Sequence, residues 1–257
     1  MTSESLARGR LAMYWREGLA IALAVLLLFG LMMAGPIPQY VDYYVFADRR
    51  PLAGIPNFWN IFSNVPFLIV GVAGIVLCLK PRLGGARASW LVMFVGTALV
   101  CFGSGYFHLN PNSDTLTWDR LPMTLVLMGL FAAMVSEQLD LRQERYILIP
   151  ALVVGVASVG WWYWTDDLRF YIWVQVLPLL TIALMFFLFR GRYSHREYLV
   201  YGLGFYALAK VVEYYDKEIY SQTGSLLSGH SLKHLFAATA LLLIYLMLQR
   251  RGPSAPA

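Results

Sequence analysis

Charged side chains are scarce in this chain. Of its 257 residues, 14% are charged and 59% are hydrophobic, whereas a soluble domain is typically about a quarter charged. Cysteine is scarcer still, because Cys78 and Cys101 are the two in the sequence and both lie in apolar runs. This pattern argues against a disulfide framework or a CxxC metal site and predicts two small buried hydrophobic residues.

Nucleic-acid-binding motifs are also missing, although Lys and Arg outnumber Asp and Glu by 20 to 15. No repeat of fixed period and no low-complexity tract interrupts the chain. In a membrane protein, an excess of basic residues usually marks the cytoplasmic loops. We therefore predict an integral membrane protein with no nucleic-acid partner. The sequence does not indicate its oligomeric state.

Long apolar segments are abundant. Crossing a bilayer as a helix takes about 20 predominantly apolar residues, and segments of roughly this length predict an all-α, polytopic membrane helix bundle. The first segment could instead be a signal peptide, because it follows basic residues and ends in small ones. No clean A-x-A cleavage site lies directly before Pro36, which favours an uncleaved helix. The eight predicted spans are 18–35, 58–79, 88–108, 121–138, 146–164, 170–189, 198–215 and 230–249.

The loops between these segments alternate in charge. Of the 20 basic residues, 13 fall in the N-terminal segment, in every second loop and after the last span. The positive-inside rule places these parts in the cytoplasm, so both termini are predicted to be cytoplasmic. The basic residues of the inner loops are Lys80, Arg82, Arg87, Arg142, Arg145, Arg190, Arg192 and Arg196.

Three of the four histidines then fall at the non-cytoplasmic ends of their spans. Ser104 and His108 are four residues apart at the end of one span, and His230 and His234 are four apart at the start of another. Residues with this spacing share one face of a helix. Asp119 lies at the outer start of a further span. All five side chains are predicted at one depth, where polar groups are costly and tend to be functional.

These residue types suit a catalytic zinc site. Three neutral imidazoles and one water form an open tetrahedral site, in which zinc lowers the pKa of the water to about 7. We predict His108, His230 and His234 as the zinc ligands and Asp119 as a general base. Ser104 is predicted to donate a hydrogen bond to the developing oxyanion or, alternatively, to orient His108.

Each polar residue taken alone also has a structural interpretation. A single membrane histidine often forms hydrogen bonds between helices, and Asp119 could be the N-cap of a helix that starts at Leu121. Lys210 and Glu213 are three residues apart and could pair with each other. His195, the fourth histidine, lies in a basic loop and is predicted to be solvated. The joint pattern of three imidazoles, an acid and a hydroxyl at one depth favours the zinc site.

The sequence resembles the alkaline ceramidase family, within the superfamily of seven-helix membrane hydrolases that includes the adiponectin-receptor-like proteins. The resemblance covers about residues 42–249 and rests on FWNIFSN, on SGYFH with DRLPM eleven residues after its histidine, and on HSLKH. It implies zinc bound by the three histidines, catalytic roles for Asp119 and Ser104, and hydrolysis of the membrane lipid ceramide to a long-chain base and a free fatty acid. The segments FADRR, GIPN and SGHSLKH are more similar to bacterial members, which implies a bacterial inner membrane. The loop charges predict that the active site lies toward the non-cytoplasmic side of that membrane.

The family has seven spans, so this chain is predicted to carry one more at its N-terminus. The predicted organisation is a cytoplasmic segment 1–17, an extra transmembrane helix 18–36, a seven-helix ceramidase-like zinc hydrolase domain 37–250 and a short disordered tail 251–257.

Two alternative functions stay open. One is a zinc hydrolase of another lipid amide or ester, and the other is a metal-stabilised seven-helix lipid receptor or sensor with little turnover.

Eukaryotic members of the family carry a calcium site before their first helix, and this chain departs from that pattern. Asp42 stands at the first acidic position and Asn57 replaces a carboxylate, while the acidic residues between them are missing at the expected spacing, although Asp48 could substitute. Calcium prefers several oxygen ligands with carboxylates among them. Calcium binding by these three residues is one interpretation, and a loop in which Asp48 pairs with Arg49 or Arg50 is the other.

Overall fold

The structure of the protein, a computed structural model, is mostly helical. It describes residues 3–81, 83–189 and 192–253, with side chains from Trp15 onward. Two loop arginines, Arg82 and Arg190, and residues 254–257 of the predicted tail lie outside the described residues. The described part contains no strand, and the predicted all-α class is confirmed. The helices are α1 Ser3–Met33, α2 Phe58–Phe62, α3 Val65–Leu79, α4 Arg87–Leu109, α5 Ser113–Gln138, α6 Glu144–Thr165, α7 Arg169–Leu188, α8 Glu197–Tyr214, α9 Asp216–Gln222 and α10 Gly229–Arg250.

Seven helical segments are long and apolar enough to cross a membrane, so the chain is a multi-pass membrane protein. Helix α8 is not one of them, because it carries Glu197, Lys210 and Glu213. It nevertheless packs along α10 within the bundle. Its crossing of the membrane, and with it the total of eight spans, stays a prediction. The seven segments are Trp15–Met33, Phe58–Leu79, Arg87–Leu109, Ser113–Gln138, Leu141–Thr165, Arg169–Leu188 and Gly229–Arg250.

Large apolar side chains lie both inside the bundle and on its outer surface. Trp90, Met93 and Phe94 of α4 are fully buried in a cluster shared with α3, α5 and α10. Ile69 and Val76 of α3 are more than half exposed. An apolar exterior of this kind would drive aggregation in water, but in a membrane it contacts the lipid chains.

The second predicted span is broken into α2 and α3 at Ser63 and Asn64. Pro66 lies in the first turn of α3, where a missing backbone N–H removes no helical hydrogen bond. The side chain of Asn64 donates from Nδ2 to the carbonyl oxygen of Asn60 at 2.7 Å, which ties the two helices across the break. The break turns the hydroxyl of Ser63 toward the bundle interior.

Helix α5 begins earlier than the sequence predicts, at Ser113 rather than near Leu121. The Asn112 side chain accepts a hydrogen bond from the Thr115 backbone N–H at 3.0 Å, and the Thr115 hydroxyl oxygen accepts one from the Asn112 N–H at 3.2 Å. This reciprocal capping box fixes the start of the helix. Asp119 therefore lies inside α5, and its alternative interpretation as an N-cap is wrong.

Helix α1 also begins before its predicted start. It runs without interruption from Ser3 to Met33, so the described part of the predicted cytoplasmic segment continues the extra helix. Its apolar part packs against α7. Trp173 donates from Nε1 to the carbonyl oxygen of Ala24 at 2.9 Å. Arg169 donates to two carbonyl oxygens at the C-terminal end of α1, those of Met32 and Ala34.

Candidate metal centre

The structure brings His108, His230 and His234 together inside the bundle. One nitrogen from each imidazole lies within 4.8 Å of the other two, and all three residues are at most 5% exposed. His108 comes from the last turn of α4, and the other two come from the first turns of α10. The predicted proximity of the three imidazoles is therefore present in the fold. Within the described residues, no other group of three or more His, Cys, Asp or Glu side chains forms such a cluster.

Two of the imidazole nitrogens are buried without a hydrogen-bond partner among the described residues. They are Nδ1 of His108 and Nε2 of His230. Buried polar atoms are nearly always satisfied, so such atoms need an explanation. A metal ion that takes imidazole nitrogen as a ligand supplies one, and three buried neutral imidazoles are the donor set of an open zinc site. The residues present thus fit a bound zinc ion.

The hydrogen bonding of His234 identifies which of its nitrogens is free for a metal. Its Nδ1 lies 2.8 Å from Oγ of Ser63, and Ser63 donates its single proton to the carbonyl oxygen of Asn60 at 3.1 Å. With the hydroxyl proton directed to that carbonyl, the oxygen of Ser63 accepts from Nδ1 of His234. This arrangement corresponds to the Nδ1–H tautomer and leaves the lone pair on Nε2 available to a metal ion.

The start of α10 is fixed by polar contacts around its two histidines. Ser228 is the N-cap and accepts from the N–H of Ser231 at 3.1 Å. Asp216, at the start of α9, accepts the N–H of His230 at 2.7 Å. The hydroxyl of Ser231 donates to Oδ1 of Asn60 at 3.1 Å. The first four backbone N–H groups of a helix have no partner within it and are usually satisfied by contacts of this kind. Here the contacts also hold both imidazoles in place.

Two glycines allow the helices that carry the site to approach closely. A Cβ atom on Gly103 would lie 2.1 Å from the backbone oxygen of Trp118, next to Asp119. A Cβ atom on Gly229 would lie 2.0 Å from the backbone oxygen of Val212. Both glycines directly precede a predicted site residue in the chain, Ser104 and His230 respectively. Side chains at these two positions would separate the elements that form the site.

The segment before α2 covers the imidazoles from outside the bundle. The ring of Phe46 lies 4.6 Å from that of His108 and 4.8 Å from that of His230, measured between centroids. Asn57 donates from Nδ2 to the carbonyl oxygen of His108 at 2.9 Å. These contacts shield the imidazoles from water. Phe46 was not identified from the sequence as a site residue, because its contacts depend on how this segment folds over the bundle.

A cavity of about 240 Å³ opens beside the histidines. Its polar end contains Ser104, Asp119 and His234, so the predicted serine and aspartate reach the same space as the imidazole cluster. Ser104 is 2% exposed and Asp119 is 6% exposed. The remainder of the wall is mostly apolar and comes from α5, α7, α8 and α10, for example Leu130, Ile182 and Ile244. Such a space suits the reactive polar part of a lipid together with its hydrocarbon chain.

A cluster of three charged side chains borders the same polar end. Glu213 accepts from Nζ of Lys233 at 2.7 Å and from Nζ of Lys210 at 2.9 Å. The predicted pairing of Lys210 with Glu213 is confirmed, and Lys233, from within HSLKH, joins it. Both lysines line the cavity. His195 lies apart from the site, where its Nδ1 is 3.1 Å from the carboxylate of Glu197.

The three residues considered for calcium each have other contacts. Asp48 is 2% exposed, and its carboxylate accepts from Nε of Arg50 at 2.9 Å and from Nη2 at 2.6 Å. Asp42 accepts from the hydroxyl of Tyr40 at 3.2 Å, and Asn57 bonds to the backbone of His108. The alternative interpretation, an ion pair between Asp48 and Arg50, is the one that the structure contains. Calcium binding at these residues stays a prediction, and it would require Arg50 to release Asp48.

Comparison with known proteins gives one match. A protein-family model described as Ceramidase matches residues 52–251, which include all of the helices from α2 to α10. Helix α1 lies before the matched region. Searches of curated proteins and of solved structures returned no match.

Proposed function

Since this chain belongs to the ceramidase family, it is a hydrolase that acts on the amide bond of ceramide, and we propose that it does so with a zinc ion held by His108, His230 and His234. The observation that carries the proposal is the buried cluster of three imidazoles beside a largely apolar cavity. Two of its nitrogens have no hydrogen-bond partner among the described residues. Hydrolysis of a hydrophobic amide requires both a source of nucleophile and a place for the hydrocarbon chains, and this arrangement offers both.

Zinc in such a site would supply a Lewis acid and lower the pKa of a coordinated water. Asp119 lines the same cavity and is proposed to accept the proton of the attacking water as general base and to return it to the leaving amine. Ser104 is proposed to donate a hydrogen bond to the amide oxygen as negative charge develops there. Ser63 is proposed to hold the tautomer and orientation of His234.

The apolar part of the cavity is proposed to bind the hydrocarbon chains of ceramide. Its wall is formed by membrane-spanning helices together with α8, so the lipid is proposed to enter from the membrane and its amide to reach the imidazoles without crossing bulk water. We further propose that the site faces the non-cytoplasmic side and that both termini are cytoplasmic. The alternation of basic residues between the loops supports this orientation.

Fatty-acid release by the purified full-length protein is the test. Ceramides, other lipid amides and lipid esters are assayed together, and the zinc content is determined on the same sample. We expect ceramide turnover with about one zinc per chain. Asp119→Asn should lower kcat by about 100-fold or more while zinc is retained. His230→Ala should lose both zinc and turnover.

Other outcomes of the same assay identify the competing functions. Turnover of another amide or ester without ceramide turnover would keep the zinc mechanism and replace the substrate. Zinc with no turnover of any lipid would favour a sensor. Full ceramide turnover by protein that lacks zinc would refute the proposed metal centre.

A further inference from the structure

Arg120 is a buried cation at the polar end of the cavity. It follows Asp119 on α5, is 5% exposed and lines the same space as Ser104 and His234. Burying a guanidinium costs several kcal/mol unless charge or hydrogen bonds compensate. Within the described part of the chain, no carboxylate forms a salt bridge with it. Groups other than carboxylates must therefore compensate for the cost of burying the guanidinium.

Aromatic rings and one amide provide part of that compensation. The guanidinium carbon lies 3.8 Å from the ring centroid of Trp162 and 4.8 Å from that of Tyr171. Nη2 donates to Oε1 of Gln39 at 2.5 Å. These contacts hold the guanidinium plane in one position, and a fixed guanidinium is well suited to bind oxygen atoms.

Two hydrogen-bond donors in this group have no acceptor among the described residues. Nη1 of Arg120 is buried without a partner, and so is Nε1 of Trp162, whose ring lies against the guanidinium. Two unsatisfied donors on neighbouring buried side chains indicate an acceptor that the chain itself does not supply. Arg120 was not predicted to be a binding residue, because it falls in a loop when the span is taken to begin at Leu121.

We propose that Arg120 is a substrate-binding residue that recognises an oxygen acceptor on the polar part of the lipid. The ligand group is an oxygen atom close to the scissile amide. Such an oxygen is present in a hydroxyl of the long-chain base and in the carboxylate of the released fatty acid. The proposal rests on the proposed function for the first source, but binding of a fatty acid can be measured without any turnover.

The binding experiment compares two 16-carbon probes, palmitate and hexadecanol, on the full-length protein after removal of metal by a chelator. Without metal, no bond between zinc and the carboxylate contributes to binding. If the carboxylate is the acceptor, wild type binds palmitate at least about 10-fold more tightly than hexadecanol, since a hydrogen bond to a charged group is stronger than one to a neutral group. Arg120→Gln then loses that preference and leaves hexadecanol binding unchanged.

The kinetic experiment compares ceramide with analogues that lack the 1-hydroxyl or the 3-hydroxyl, on the metal-loaded protein. If a hydroxyl is the acceptor, removing it from the lipid lowers kcat/KM about 10-fold in wild type and has little effect in Arg120→Gln. Arg120→Lys keeps the charge but not the planar fork, and it should retain only part of either preference. Arg120→Lys also provides the test of both preferences if Arg120→Gln does not fold.

Gln39→Ala is the matched control. It removes the acceptor of Nη2 but leaves Arg120 in place, so it tests whether the contact between the two side chains serves only to stabilise the fold.

The proposal is overturned if wild type shows neither preference. It is also overturned if Arg120→Gln and Gln39→Ala lower the unfolding temperature alike and both retain the wild-type preferences, because an ordered water would then be the missing acceptor. A protein that binds palmitate through Arg120 but hydrolyses no ceramide would refute the proposed function and leave this inference standing.

Discussion

At the scale of single residues, the most informative contact is the hydrogen bond between Ser63 and His234. It joins Oγ to Nδ1 at 2.8 Å and leaves Nε2 free. The serine is itself oriented by the carbonyl oxygen of Asn60. An outer hydrogen bond of this kind sets the tautomer of a metal-binding histidine and raises its basicity.

Ser63→Ala is predicted to weaken zinc binding by about 10- to 100-fold, because Nδ1–H of His234 would lose its acceptor. Activity should return when excess zinc is added. Zinc affinity is measured by competition with a chelator. Ser136→Ala is the control, since its hydroxyl is also buried and has no partner among the described residues, about 25 Å from Asp119 along α5 at 1.5 Å per residue. Equal affinities for Ser63→Ala and wild type would refute the assigned role.

The ion pair of Asp48 and Arg50 makes a prediction about acid stability. Burial alone would raise the pKa of Asp48, but the hydrogen bonds and charge of Arg50 outweigh it and hold this pKa below its usual value. A carboxyl whose pKa is lowered in the folded state contributes stability above its unfolded pKa of about 3.9. That contribution is lost as the pH falls through the lower, folded pKa.

Asp48→Asn is therefore predicted to destabilise the protein at pH 7 by about 1–3 kcal/mol and to flatten the loss of stability below pH 4. Unfolding temperatures in detergent between pH 7 and pH 3 provide the measurement. Asp140→Asn, which alters an exposed carboxylate on another loop, should reproduce the wild-type curve. A wild-type pH dependence in Asp48→Asn would contradict the account.

At the scale of helices, the contact between α4 and α5 determines whether the serine and the aspartate share a cavity. The backbone of Gly103 lies so close to Trp118 that a Cβ atom would stand 2.1 Å from a carbonyl oxygen. Backbone atoms inside a helix cannot shift individually. Any side chain at this position must instead move one helix relative to the other.

Gly103→Ala is predicted to lower kcat/KM by at least 10-fold and to destabilise the bundle by about 1–3 kcal/mol, the usual cost of overpacking. Gly105→Ala is a control on the same helix, because its Cβ atom would meet one side-chain atom at an ordinary 3.8 Å. Steady-state kinetics and unfolding temperatures are measured for both variants. If the two variants behave alike, close approach at Gly103 does not matter to the site.

Helix α1 shows how an element outside the family match is attached to the rest. Its end is bound by Arg169, which is itself paired with Asp167 at 2.7 Å, and its middle is bound by Trp173. Because the last carbonyl groups of a helix lack partners within it, a fixed arginine is an effective anchor. Helix α1 does not line the cavity of the metal centre, whose wall comes from the matched region and from Tyr43.

At the scale of the whole molecule, the apolar exterior and the buried polar site follow from different parts of the sequence. Seven of the spans and the grouping of the three histidines were predictable, because hydropathy, loop charge and residue spacing are local properties of the chain. The tautomer of His234 was not, since it depends on the break at Ser63. The burial of Arg120 was not either, because Trp162 and Tyr171 reach it from other helices.

Orientation in the membrane is testable with single cysteines in a protein that carries Cys78→Ser and Cys101→Ser. Lys217→Cys on α9 is predicted to react with a membrane-impermeant maleimide in intact cells. Arg142→Cys is predicted to react only after permeabilisation, since its loop is cytoplasmic. Both positions are exposed in the fold, so accessibility within the protein does not distinguish them. The reverse labelling pattern would place the metal centre on the cytoplasmic side.

The central claim is that His108, His230 and His234 hold a catalytic zinc ion, and zinc-edge X-ray absorption of the purified, active protein tests it most directly. The account predicts three imidazole nitrogens at about 2.0–2.1 Å and one further light ligand at a similar distance. In His230→Ala, this signal should disappear together with fatty-acid release. Active protein without zinc, or zinc whose ligands are unchanged in His230→Ala, would contradict the account.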